Sequence, residues 1–192
     1  MASVVAVGPR VRFLRWLLLL TVALTACGSP GPSPASESAA EALDRGIKAH
    51  AAGKLDEATA AYFETLAKDP MNKFAYYNLG QVAKARGRLV TAEAYYRLAL
   101  EQDPKMASAL LRLAAVRYEL NAYQEAVDLN RRVIAIEPNN AAAHFNLALA
   151  LRALGQNAEA QQEFATAQGL DPSLVRPPAG SATPVPSASP VR

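Results

Sequence analysis

The chain has 192 residues, of which 51% are hydrophobic and 19% charged, with 20 lysines and arginines against 17 aspartates and glutamates. It contains one cysteine, which excludes an intramolecular disulfide. Three of the basic residues lie within the first 15 positions, and without them the count is 17 basic against 17 acidic residues. This balance argues against a nucleic-acid partner, because such a partner calls for a basic face.

Residues 1–26 have the composition of a secretory signal peptide. Arg10, Arg12 and Arg15 precede an uncharged apolar stretch of 11 residues that ends in small residues. A helix that spans a bilayer needs about 20 apolar residues, so this stretch is too short for a membrane span. We expect the segment to direct export and to be removed.

The residues Leu-Thr-Ala-Cys that end at Cys27 resemble the bacterial lipobox. The resemblance implies that Cys27 is acylated after cleavage, which would anchor the chain to a membrane. The location would be the outer membrane or the external face of the cytoplasmic membrane, depending on the host. The alternative is an ordinary signal peptide with an incidental cysteine. Residues 27–36, rich in glycine, serine and proline after the cysteine, are predicted to form a flexible linker.

A 34-residue period organises the next part of the chain. It is marked by four prolines, each preceded by an acidic residue: Pro70, Pro104, Pro138 and Pro172. This is the period of stacked helix-turn-helix units. The units within the predicted domain 37–174 are 39–72, 73–106, 107–140 and 141–174.

Other positions of the 34-residue unit agree with this frame. Position 8 is always glycine or alanine, and position 20 is always alanine. Position 24 is aromatic in the first, second and fourth units and is Asn130 in the third unit. Position 15 is glycine or Asn121, residue types that tolerate a left-handed backbone and end helices. Apolar residues between these marks recur every three or four positions. The pattern predicts two helices per unit, about eight in all, in which large residues face small ones and interdigitate.

Small residues at position 8, alanine at 20, an aromatic at 24 and proline at 32 resemble the tetratricopeptide repeat family. The best matches are Tyr76-Tyr77-Asn78-Leu79-Gly80 and His144-Phe145-Asn146-Leu147-Ala148. The resemblance implies an all-α fold, a superhelical solenoid of four repeats. The family's function is protein binding, so a protein or peptide partner is expected.

In this family, positions 2, 5, 6, 9 and 12 of each unit face the concave groove. The resemblance therefore implies a peptide-binding groove formed by Phe74, Tyr77, Asn78, Gln81, Lys84, Leu111, Arg112, Tyr118, Phe145, Asn146, Leu149 and Arg152. Groove position 12 of the first unit is His50. Family members that grip C-terminal carboxylates use lysine and asparagine at positions 2, 5 and 9, where this chain has Leu43, Ile47, Phe74 and Ser108. A chaperone-tail clamp is therefore not expected.

Several groove residues have a second interpretation. Tyr77, Tyr118 and Phe145 lie at a helical spacing that is equally compatible with a core between repeats. Lys84, Arg112 and Arg152 are of a type that is more often solvated than bound to a ligand.

The sequence gives little support for catalysis. The two histidines, His50 and His144, are 94 residues apart, and His144 occupies a position that usually holds a large packing residue. No phosphate-binding glycine loop or metal-spaced cluster occurs in the sequence. We therefore predict that the protein is not an enzyme and needs no cofactor or metal.

The sequence leads to two alternative functions. The first is a lipid-anchored adaptor or scaffold of the bacterial cell envelope that binds a peptide or helix in its groove. The second is a structural component that self-associates, for example as a homodimer, without an exchangeable ligand. Residues 175–192, rich in proline, alanine and serine, are predicted to be a disordered tail.

Overall fold

The computed structural model describes residues 37–174, and these residues form eight α-helices and no strand. The helices are α1 (Ala39–Ala51), α2 (Leu55–Lys68), α3 (Lys73–Ala85), α4 (Leu89–Gln102), α5 (Ala107–Glu119), α6 (Tyr123–Ile136), α7 (Ala141–Ala153) and α8 (Asn157–Leu170). The predicted all-α solenoid of helix pairs is confirmed. The predicted signal peptide, Cys27, the linker 27–36 and the tail 175–192 lie outside the described residues.

The turn inside each unit has the predicted left-handed backbone. Position 15 has a positive φ in all four units: Gly53 (73°), Gly87 (70°), Asn121 (61°) and Gly155 (78°). A side chain with a Cβ rarely adopts this conformation, and asparagine is among the few types that do so. The residue types at position 15 thus fix the turn that folds the second helix back onto the first.

The acidic residue before each proline organises the turn between units. In three units its Oδ1 accepts a hydrogen bond from the backbone N–H two residues later, at 2.9–3.3 Å: Asp69 from Met71, Asp103 from Lys105 and Asp171 from Ser173. Glu137 in the third unit instead accepts a bond of 2.7 Å from Nδ2 of Asn140. These bonds hold the turn in a fixed shape and so set the direction of the next helix.

The carbonyl oxygens of three of these prolines accept side-chain hydrogen bonds from the following unit. The donors are Tyr76 to Pro70 (3.0 Å), Arg132 to Pro104 (3.2 Å) and His144 to Pro138 (2.9 Å). Tyr76 and His144 both occupy position 4 of their units. Each bond ties the turn after a unit to a side chain of the following unit.

Side-chain caps start several of the first helices. Asn72 and Asn140 each accept a hydrogen bond of 3.0 Å from the backbone N–H three residues later. Ser38 and Glu41 form a reciprocal capping box at the start of α1. The first helices of neighbouring units also touch, α1 with α3 and α5 with α7. We call the surface of these first helices, α1, α3, α5 and α7, the groove face.

Small and large residues interlock inside each unit. A Cβ added to Gly46 would lie 2.5 Å from the ring of Tyr62. Both tyrosines at position 24, Tyr62 and Tyr96, have no exposed surface. In the first two units, large and small residues interdigitate as predicted, and the contact joins positions 8 and 24. Asn130 replaces the ring in the third unit, is also buried, and donates from Nδ2 to the carbonyl of Ala126 at 2.8 Å.

Candidate functional site

The twelve residues that the sequence predicts for the groove lie on the first helices of the second, third and fourth units, and none of them is buried. Phe74, Arg112 and Arg152 are exposed, and the other nine are half-buried. They are therefore available for contact, but their role in binding stays a prediction.

Three aromatic rings of the groove face rest on rings of the second helix in the same unit. The centroid distances are 5.9 Å for Tyr77–Tyr96, 5.4 Å for Tyr118–Tyr123 and 5.5 Å for Phe145–Phe164. Each groove-face ring thus packs against a ring of the second helix and is half-exposed. Such rings lose little conformational freedom on binding and offer a large apolar area, which suits them as anchors for a partner.

The polar groups of the groove face are partly engaged within the chain. Asn78 donates from Nδ2 to the carbonyl of Phe74 at 2.9 Å, and Gln81 donates from Nε2 to Oδ1 of Asn78 at 3.1 Å. Asn78 therefore acts first within its own helix. The guanidinium of Arg152 lies 5.3 Å from the ring centroid of Phe164, a cation–π arrangement.

A pocket of about 370 Å³ opens on the groove face across three units, and we call it the three-unit pocket. Its lining residues are His50, Gln81, Lys84, Ala85, Tyr96 and Arg112. Four of these are groove positions of the sequence prediction. The sequence pattern assigns Tyr96 only to packing, because position 24 faces the core. Its hydroxyl is the one sequence feature that could have placed Tyr96 at a pocket. A tyrosine buried in a core usually directs its polar end toward a partner.

Of the lysine and the arginine that line the three-unit pocket, the lysine has an acidic partner among residues 37–174 and the arginine has none. Nζ of Lys84 lies 2.7 Å from Oε1 of Glu119. Within residues 37–174, Arg112 forms no side-chain hydrogen bond or ion pair. The hydroxyl of Tyr96 is buried without a partner in the same part of the chain. Burial raises the pKa of Tyr96 well above its ordinary value, and the positive charge of Arg112 acts in the opposite direction.

His144 is held in a structural role rather than at an open site. Its Nε2 lies 2.9 Å from the carbonyl of Pro138, and its Nδ1 lies 2.6 Å from Oε2 of Glu163. The residue is only 8% exposed. His144 therefore joins α7 to the preceding turn and to α8, as a packing residue would.

Two other kinds of feature are absent from residues 37–174. No group of three histidine, cysteine, aspartate or glutamate side chains is placed to hold a metal ion there. None of the helices in this stretch has the length and apolar character needed to cross a bilayer.

The fold and the groove face together define the class: an all-helical repeat protein in which stacked helix pairs present one continuous face. Sequence models described as tetratricopeptide repeat match residues 43–107 and 91–141, and a second model of the same description matches 129–162. The chain belongs to the tetratricopeptide repeat family.

Several solved structures are similar to this chain in fold. They include the crystal structure of MamA (20% identity, TM-score 0.66, covering 72% of this chain and 81% of that one) and YrrB, described as having an unusual peptide-binding site (24%, 0.65, 71% and 70%). A third is the first repeat domain of Spaghetti (RPAP3) bound to the HSP90 peptide SRMEEVD (29%, 0.60, 65% and 99%). No functionally curated protein shows significant sequence similarity to this chain.

Proposed function

We propose that the protein is a membrane-anchored adaptor or scaffold of the bacterial cell envelope, which binds a peptide or a helix of another protein along the groove face. The observation that carries the proposal is the row of supported, half-exposed rings at Tyr77, Tyr118 and Phe145. Aromatic anchors surrounded by amide and cationic donors suit an extended peptide or an amphipathic helix.

The solved relative at 29% identity binds a peptide, which supports a peptide ligand here. The acidic chaperone peptide itself is not proposed. The first-unit groove residues Leu43 and Ile47 are apolar, and Ser108 is neutral, where a carboxylate clamp of that kind needs lysine and asparagine. A different partner chemistry is therefore expected.

The membrane anchor is the second part of the proposal and depends on the sequence. Export by residues 1–26 and acylation of Cys27 would place the repeats on the outer membrane or on the external face of the cytoplasmic membrane. Metabolic labelling with an alkyne-bearing palmitate tests this part. We expect label on the wild-type chain and none on the Cys27→Ser variant, and label on both would refute acylation at this cysteine.

Self-association is the alternative, and one observation favours it. Leu170 and Leu174, at the end of the last unit, are 40% and 36% exposed. Apolar surface at the end of a repeat array can pack on a second copy. In this case the groove face would have no exchangeable ligand.

A photo-crosslinking residue introduced in native membranes separates the two functions. We would place it at Tyr118 on the groove face and, as a matched aromatic control, at Phe63 on α2, which is 48% exposed. The adaptor predicts a different protein captured from position 118 and not from position 63. Capture of the protein itself alone would favour self-association, and identical capture from both positions would refute the groove as the binding site.

A further inference from the structure

We infer that a pocket between α2 and α4 binds a small amphiphilic anion, one with a compact apolar body and a carboxylate head. The pocket, which we call the α2–α4 pocket, has a volume of about 260 Å³ and lies over α3. It shares no residue with the three-unit pocket or with the twelve predicted groove residues. The ligand would therefore bind apart from the groove, in addition to a protein partner.

The junction between the first and second units differs from the two that follow. At the later junctions an ion pair joins position 25 of one unit to position 19 of the next: Arg97 to Glu125 at 3.9 Å and Arg131 to Glu159 at 2.6 Å. At the first junction these positions hold Phe63 and Thr91, which line the α2–α4 pocket. Charged side chains thus bridge two junctions, whereas an exposed ring replaces them at the first.

The walls of the α2–α4 pocket are mainly apolar. Five of its nine lining residues are aliphatic or aromatic: Phe63, Leu79, Val82, Ala83 and Tyr95. Leu79 and Val82 are each 2% exposed, while Phe63 is 48% exposed. A cavity of about 150 Å³ with an apolar lining is large enough to bind benzene. The α2–α4 pocket can therefore hold a ring or a short aliphatic chain.

The next junction favours a short occupant. The pocket between α4 and α6 is larger, about 440 Å³, but five of its eight lining residues are charged, with both signs present. A long apolar helix lying across the second helices would have to cover these charges, and the burial of charged groups is unfavourable. A small molecule confined to the α2–α4 pocket meets no such cost.

The α2–α4 pocket is positively charged. Its lining includes Arg86 and Arg88 and no acidic residue, although residues 37–174 carry 15 basic against 17 acidic side chains. Arg86 forms an ion pair with Asp56, whereas Arg88 forms no ion pair or side-chain hydrogen bond within residues 37–174. The planar guanidinium of Arg88 has the geometry to donate two hydrogen bonds to one carboxylate.

The repeat pattern and the helix ends do not explain these two arginines. Positions 14 and 16 are both arginine in the second unit alone; the other units have Ala52, Leu120 and Leu154 at position 14 and Lys54, Ala122 and Gln156 at position 16. Arg88 is the N-cap residue of α4, where the helix dipole disfavours a cation, and its side chain caps no backbone group. A cation beside an apolar pocket suits a ligand that is apolar with one negative charge.

Four small probes test the pocket on the full chain in detergent micelles. Phenylacetate and hexanoate combine an apolar body with a carboxylate, phenylacetamide has the ring without the charge, and acetate has the charge without the body. We would follow the methyl signals of Leu79 and Val82 by NMR at millimolar probe concentrations. We expect saturable shifts with at least one of the two apolar acids, weaker binding of phenylacetamide and no shift with acetate.

Two variants and a matched control connect the shifts to the pocket. The double variant Phe63→Arg, Thr91→Glu introduces the ion pair of the later junctions and should abolish binding, because that pair would cover the apolar walls. Arg88→Gln should weaken binding about tenfold, since hydrogen bonds between charged groups are stronger than neutral ones. Lys54→Gln removes the cation at the same position of the first unit, outside the pocket, and should leave binding unchanged. Circular dichroism checks that each variant is folded.

Three results would overturn the inference: no shift with either apolar acid, equal binding of phenylacetamide or acetate, or acid binding that Arg88→Gln does not weaken. Shifts caused by anionic lipid vesicles and by neither free acid would identify a membrane contact instead and would also overturn it. If the acids fail to bind while partner capture at Tyr118 persists, the adaptor function stands and only the α2–α4 pocket is wrong. If the acids bind while capture at Tyr118 fails, the pocket stands and the adaptor function is wrong.

Discussion

Gly80 lies directly against the ring of Tyr96: a Cβ built on this glycine would be 2.6 Å from Cε1 of the tyrosine. A real Cβ essentially never approaches another heavy atom this closely, so the absence of a side chain at position 8 lets the two helices of the second unit approach. The ring of Tyr96 in turn supports Tyr77 on the groove face. Packing inside the unit therefore positions a residue of the candidate site.

The first prediction concerns this contact. Alanine usually stabilises a helix relative to glycine by about 1 kcal/mol, whereas overpacking of a core costs about 1–3 kcal/mol. We expect Gly80→Ala to lower the free energy of unfolding, because Tyr96 is enclosed and cannot move away. Urea denaturation measures the change. The control is Gly169→Ala, where an added Cβ meets nothing within 4 Å and no loss is expected.

The second prediction concerns two hydroxyl groups. Tyr62 and Tyr96 are both fully buried at position 24, and neither hydroxyl has a partner within residues 37–174. Burial alone raises the pKa of Tyr62 to about 12. Since an unpaired buried hydroxyl is unfavourable, Tyr62→Phe and Tyr96→Phe should each raise the free energy of unfolding, by about 1 kcal/mol.

A decrease in stability of more than about 1 kcal/mol in either variant would show that the hydroxyl has a partner.

The third prediction concerns His144. His144→Ala removes the contacts to Pro138 and Glu163 and should lower the free energy of unfolding by about 1–3 kcal/mol. His144→Tyr should recover part of the loss, because Tyr76 at the same position of the second unit donates to the carbonyl of Pro70. Equal destabilisation by both variants in urea denaturation would contradict this account of position 4.

The fourth prediction concerns the dependence of stability on pH. Nζ of Lys73 lies 2.6 Å from Oδ2 of Asp103, and this hydrogen bond, aided by the N–H of Lys105, holds the pKa of Asp103 below its ordinary 3.8. Because the folded pKa is depressed, the stabilisation is present above the unfolded value and is lost as the pH falls through the folded pKa.

We therefore expect Asp103→Asn to be less stable than the wild type at neutral pH and to approach it below pH 3.8. The amide oxygen of the introduced asparagine would still offer an acceptor to the N–H of Lys105, so the comparison isolates the ion pair with Lys73. Lys73→Gln should give the same convergence. A stability difference that is constant across this pH range would rule out the ion pair as its source.

Local chemistry made much of the scaffold predictable. The helix-ending turns follow from residue type, since glycine and Asn121 are the residues that accept a left-handed backbone. The capping by Asn72 and Asn140 follows from an amide that directly precedes a helical pattern. The large-to-small contact of Gly80 and Tyr96 follows from a small residue at position 8 and an aromatic residue at position 24, and Gly46 and Tyr62 make the same contact.

Contacts between helices could not be read from the sequence. Arg86 pairs with Asp56, 30 residues away, and Lys84 pairs with Glu119. The repeat pattern fixes which face a residue occupies but not which charged side chain lies opposite it. The three-unit pocket could not be predicted for this reason, because it requires residues of three units to be placed together and includes Tyr96 from the core.

The central claim is that the groove face binds a protein partner through its aromatic anchors. The most direct measurement is the affinity of the full chain for the protein captured from position 118, with Tyr77→Ala and Phe145→Ala compared with Phe63→Ala. Anchor residues typically contribute about 2 kcal/mol or more, so each groove variant should weaken binding about thirtyfold while Phe63→Ala leaves it unchanged. Unchanged affinity in folded Tyr77→Ala and Phe145→Ala variants would contradict the account.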